Sequence, residues 1–138
     1  MTRIAPIAAA ALLALTAPAF AGGSDLDAAV KKGGVMLKSD QIAELIVGKV
    51  VTAKAGENTF RFFYDPANVL SGEMINGGWK GKGAFAITDT NQVCVSMAQD
   101  QGRYRCLTVV RDGDTVRKYN AAGKMTFELL GFEEAAGL

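Results

Sequence analysis

From residue 49 onward, apolar and polar positions alternate in short runs, and each run stops at a turn signal. Thr59 to Tyr64 (TFRFFY) places Phe60, Phe62 and Tyr64 on one face of an extended strand, because successive strand side chains point to opposite faces. Similar runs cover Lys49 to Ala55, Val69 to Ile75, Trp79 to Thr88, Val93 to Met97 and Arg103 to Val110. Thr115 to Tyr119 and Met125 to Phe132 complete the set. The stops are Asp65-Pro66-Ala67-Asn68, Asn76-Gly77-Gly78, Asp89-Thr90-Asn91, Asp112-Gly113 and Asn120-Ala121-Ala122-Gly123. Strands that recur about every 10 residues with turns between them predict an all-β meander. Closing such a sheet removes its edges. The expected fold is therefore mainly β: a small antiparallel up-and-down β-barrel or strongly curved meander sheet, with a two-sheet β-sandwich as the alternative.

One helix precedes the strands. In Ser39 to Gly48, Ile42, Leu45 and Ile46 form an apolar stripe. Ser39 is the expected N-cap, Asp40 suits the positive end of the helix and Gly48 suits the stop. So short a helix needs a surface to pack on, and the mouth of the barrel supplies one. Residues 22–38 form an N-terminal segment in which Ser24 to Lys32 predicts a shorter helix ending at Gly33-Gly34. The helix and meander domain spans 39–138, with no internal repeat and no long linker.

Residues 1–21 follow a different pattern. Arg3 is a short positive region, Ile4 to Leu15 is an apolar stretch and Ala19-Phe20-Ala21 is a small-x-small cleavage signal. This predicts a signal peptide and a periplasmic or secreted protein. No later segment is apolar enough to span a membrane. Without Arg3 the acidic and basic residues balance and no long run of one sign remains, which argues against a nucleic-acid partner or an anionic membrane surface.

That compartment bears on Cys94 and Cys106, the only cysteines. An even number of cysteines in an exported chain points to a disulfide. With a turn centred near Asp100, the two fall opposite each other in a hairpin. Val93, Val95 and Met97 then point away from Cys94, so the bond lies on the face away from the main apolar layer. Cys-x-x-Cys is absent, and a structural zinc site needs four ligands that two cysteines in a histidine-free chain cannot supply.

The absence of histidine also excludes Ser-His-Asp and Cys-His catalysis. Asp112 with Asp114, and Glu133 with Glu134, are the available carboxylate pairs, and turn formation and a solvated tail account for them. The glycines around Trp79 (Gly77 to Gly83) precede no helix that could hold a phosphate, so they read as turn and strand-edge packing. No cofactor is expected and no metal site. Phe60, Phe62, Phe85 and Phe127 fit inward strand positions, where they fill a small barrel or line a ligand cavity. If a cavity exists, its expected lining is Phe60, Phe62, Phe85 and Val95.

The order of LKSDQIAELIVGKVV, FRFFYDPANVLSG, GKGAFAITDTNQVCVSM and RYRCLTVVRDGDTVRKYNAAGK resembles a family of short exported alphaproteobacterial proteins of unknown function. There a helix and Gly-Lys lead into a meander, and a Gly-x-Trp strand precedes a Cys…Cys hairpin. The chain departs from that pattern at Gly83-Ala84-Phe85, where the family has tryptophan, and at its C-terminus. The resemblance implies a fold and an export route, not an activity.

Function is thereby narrowed to three classes. The first is a non-enzymatic binding or interaction module of the cell envelope that recognises a protein partner, envelope-enzyme inhibition being a subtype by fold analogy. The second is a lipocalin-like carrier of a small apolar ligand. The third, an enzyme, lacks a convincing pair of converging carboxylates.

Overall fold

The computed structural model describes residues 23–138, so the leader pattern at 1–21 lies outside the described residues. In chain order the elements are α1 (Asp25–Lys31), β1 (Val35–Met36), α2 (Ser39–Ile46), β2 (Lys49–Ala55), β3 (Asn58–Tyr64), β4 (Val69–Met74) and β5 (Lys80–Ile87). They continue with β6 (Gln92–Met97), a 3₁₀ turn (Ala98–Asp100), β7 (Tyr104–Asp112), β8 (Thr115–Tyr119) and β9 (Met125–Glu134). Each strand from β2 to β9 pairs antiparallel with the next, and β9 pairs back with β2. Eight strands thus close into an up-and-down barrel, and the closure removes the sandwich alternative. β1, too short to be read from sequence, pairs with the far half of β7 beyond the start of β6.

The register fixes which side chains enter the barrel. Val51 pairs with Phe62, Phe62 with Gly72, Gly72 with Gly81, Phe85 with Val95, Val109 with Lys118 and Lys118 with Phe127. All of these lie on the inner face. Two β-bulges adjust the set. One, where β2 meets β9, leaves Leu130 without an opposite residue and restores Phe132 to the inner face. Leu130 is consequently an exposed leucine. The other falls beside Lys118, where Thr126 is the extra residue and its hydroxyl donates to the Lys118 carbonyl at 3.2 Å. Bulges of this kind redirect side chains.

Helix α2 closes one end of the barrel. Ile42 and Ile46 are fully buried among Val51, Phe85, Val93 and Leu129, each burial stabilising the fold by about 1.5–3 kcal/mol. The helix begins one residue earlier than its expected cap. Ser39 is its first residue, Lys38 is the N-cap and the Ser39 hydroxyl donates instead to the Thr88 carbonyl at 2.5 Å. Its backbone N–H donates to Asn91 Oδ1 at 2.9 Å, so Ser39 ties the helix to the β5–β6 turn. Gly48 takes φ +74° and its N–H donates to the Tyr64 carbonyl at 2.8 Å, which turns the chain into β2. On the outer wall, α1 is capped by Ser24, and its Leu26 N–H donates to the Gly123 carbonyl at 2.9 Å.

Cys94 and Cys106 form the expected disulfide, directly opposite each other on β6 and β7 with Cα atoms 4.0 Å apart. It lies outside the barrel core, as the alternation requires, yet Cys94 is fully buried. Among the described residues no helix is long and apolar enough to cross a membrane.

Candidate functional site

The end of the barrel opposite α2 is not filled. A cavity of about 200 Å³ opens there, walled by Phe60, Phe62, Trp79 and Phe127. Leu70, Val95, Met97 and Leu107 line it further, and Tyr64, Lys118, Asp100 and Arg105 supply its polar groups. Eight-stranded barrels lie at the size where side chains either fill the interior or leave room for one small ligand.

The aromatic wall follows from strand alternation and from two glycines. Phe60 and Phe62, two apart on β3, stack at 5.8 Å. Phe127 meets both edge-on, at 5.9 Å and 5.7 Å. Trp79 meets them edge-on at 5.7 Å and 6.2 Å. Such pairs are each worth about 0.5–1.5 kcal/mol beyond their buried area. Trp79 can lie inward because Gly72 and Gly81, cross-strand partners on β4 and β5, carry no side chain. A Cβ at Gly81 would stand 2.5 Å from the indole, and one at Gly72 would stand 2.9 Å from it. Gly72 and Gly81 are therefore a seat for the indole inside the sheet, and at Gly81 this replaces the turn and edge packing expected of the Gly77 to Gly83 run.

The 3₁₀ turn forms the rim. Gln99 Nε2 donates to the Lys80 carbonyl at 2.7 Å, and Asp100 pairs with Arg105 Nη2. This ion pair is partly exposed and contributes little to stability. Beside the rim the barrel wall is notched. The β7–β8 register starts at Thr108, so Tyr104 to Leu107 have β6 on one side and no strand on the other. A second cavity of about 380 Å³ occupies the gap between this edge and Asn120 to Ala122. Val95, Arg105, Leu107 and Phe127 line both cavities, so only their side chains separate the notch from the interior. The disulfide pins β7 to β6 along this half-supported stretch.

At the inner end of the cavity sits Lys118, 3% exposed. Its Nζ donates to Tyr64 Oη at 2.5 Å and lies 4.9 Å from the Tyr64 ring centroid. Tyr64 is held in turn edge-on by Phe85 at 5.1 Å. Among the described residues no carboxylate oxygen lies within 4.0 Å of Lys118 Nζ.

Of the four residues expected to line a cavity, Phe60, Phe62 and Val95 do so. Phe85 does not. It shares their face but lies nearer α2, buried against Tyr64 in the core. Lys118, Tyr64, Trp79 and Arg105 also line the cavity, and no local sequence pattern singles them out for it. Among the described residues no cluster of three or more His, Cys, Asp or Glu could hold a metal ion. A further cleft of about 230 Å³ lies on the outer wall, between α1 and the strands β7 and β8.

Fold and site together define a closed eight-stranded barrel, plugged by a helix at one end and carrying an aromatic-walled cavity at the other. No protein-family model, curated protein or solved structure matches the chain.

Proposed function

We propose that this protein binds a small, largely apolar ligand inside the open end of the barrel, in the manner of a lipocalin-like carrier, without performing chemistry on it. The observation that carries the reading is the unfilled aromatic-walled interior of about 200 Å³. An apolar cavity of about 150 Å³ accepts benzene. The present one is therefore suited to a ring, or a branched chain of similar bulk, with two or three further non-hydrogen atoms. The notch beside β7 is divided from this interior only by the side chains of Val95, Arg105, Leu107 and Phe127, and their displacement would open a route in that leaves the helix plug undisturbed. An exported location, periplasmic or secreted, fits the leader pattern and the disulfide, because such bonds persist in oxidising compartments.

Trp79 is the only tryptophan and stands in the cavity wall, so it reports occupancy. Titration with small aromatic and branched-chain compounds is expected to shift its fluorescence saturably, with compounds well beyond about ten non-hydrogen atoms excluded by size. Absence of saturable binding across such a panel would return the reading to its rival, recognition of an envelope protein by surface loops.

A further inference from the structure

Resting on that binding reading, we infer that the ligand carries a single carboxylate, seated on Lys118 and Tyr64 at the inner end of the cavity. Four observations converge. The Lys118 ammonium is buried in a cavity whose other walls are mainly aromatic and aliphatic. An ammonium has three N–H donors, and the hydrogen bond found for it goes to Tyr64 Oη at 2.5 Å. No carboxylate of the described residues lies within 4.0 Å to balance its charge. Tyr64 accepts from the lysine, which leaves the phenolic proton free to donate in its turn.

The floor of the cavity thus presents donors and positive charge. An ionised carboxylate is the complementary group, since it only accepts hydrogen bonds and carries one negative charge on two oxygens. A phosphate monoester carries close to two negative charges at neutral pH, and one buried lysine would leave part of that charge unbalanced. A neutral hydrocarbon would leave the ammonium buried without a counter-charge, which is strongly unfavourable. Arg105, the other cation of the cavity, is already paired with Asp100 at the rim. The volume limits the remainder of the ligand to a single ring or a short branched chain, placing benzoate, phenylacetate and 4-methylpentanoate in the right class.

The test uses matched pairs. Benzoate, phenylacetate and 4-methylpentanoate, each beside its uncharged amide, are titrated into the intact, disulfide-bonded protein and followed by calorimetry and Trp79 fluorescence. At least one acid is expected to bind tenfold or more tightly than its amide. Lys118→Met is expected to abolish that preference while the amide still binds. Tyr64→Phe, which keeps the ring, is expected to weaken the acid severalfold and leave the amide unchanged. If acid and amide bind the wild-type protein equally, the carboxylate assignment falls and the apolar-binding reading stands. If no member of the panel binds, both fall. If Lys118→Met does not fold, the wild-type ratio and the Tyr64→Phe result decide.

Discussion

Lys118→Met is expected to change the stability of the ligand-free protein. The Lys118 ammonium is withdrawn from water, 3% exposed, and the partner found for it is one phenol. Burying an ion costs several kcal/mol after relaxation, whereas a hydrogen bond to a charged group returns only about 1.5–3 kcal/mol. Methionine has a similar unbranched reach, buries without a desolvation penalty and packs well against aromatic rings. Lys118→Met forfeits the bond to Tyr64, but the phenol can turn toward the cavity. The expected balance in the ligand-free protein is a gain of about 2 kcal/mol. For a domain of this size that raises Tm by about 8 °C. The assay is thermal and urea unfolding of the two proteins, extracted free of ligand and with the disulfide intact, with equal m-values as the check that the same fold is lost. A functional charge held at the expense of stability behaves in this way. A loss of about 2 kcal/mol or more, with the fold intact, would instead make the lysine a structural group whose pairing outweighs its burial.

Other consequences are open to measurement. Reduction of Cys94–Cys106, which are 12 residues apart in sequence, is expected to cost about 3 kcal/mol and lower Tm, with no metal released. An unchanged Tm would show that the β6–β7 pairing is sufficient without the bond. Gly81→Ala places a methyl group in the indole seat, so the Trp79 emission should move to the red and small-ligand affinity should fall, while the far-ultraviolet circular dichroism stays that of the barrel. An unmoved spectrum would contradict the seating of Trp79 on Gly72 and Gly81. Gly83→Ala drives a Cβ into the Ser96 backbone carbonyl and should destabilise by about 1–3 kcal/mol or more, read from urea unfolding.

The barrel was largely legible in the chain because strand alternation and turn residues are local signals. Asp112-Gly113 gave its hairpin, and a turn near Asp100 placed the two cysteines opposite each other. The cavity depends on properties that no local signal carries. Alternation assigns a face but not a height along the barrel, so Phe85 looked equivalent to Phe60 and Phe62 although it packs nearer the helix plug. In TVRKY, Val116 and Lys118 share the inner face and Arg117 the outer. A lysine between an arginine and a tyrosine reads as a solvated position until β7 and β9 are aligned beside it. The indole seat needs Gly72 and Gly81, nine positions apart in sequence, to become cross-strand partners. The bulge in β9 reverses the alternation between Leu129 and Phe132, and Leu130-Gly131 shows no turn signal strong enough to announce it. Ser39 has the composition of a cap, but the β5–β6 turn competes for its hydroxyl and wins.

The binding proposed for the open end of this barrel is decided by its occupancy. The most direct measurement is native mass spectrometry of the protein isolated gently from its own host, without denaturation or organic solvent. A reproducible added mass of about 120 Da is expected, the size that the cavity admits, lost on organic extraction and absent from Lys118→Met. A bare mass, lower than that of the leader-cleaved chain only by the two hydrogens of the disulfide, in protein that also fails to take up any of the matched acids and amides, would overturn the binding proposal.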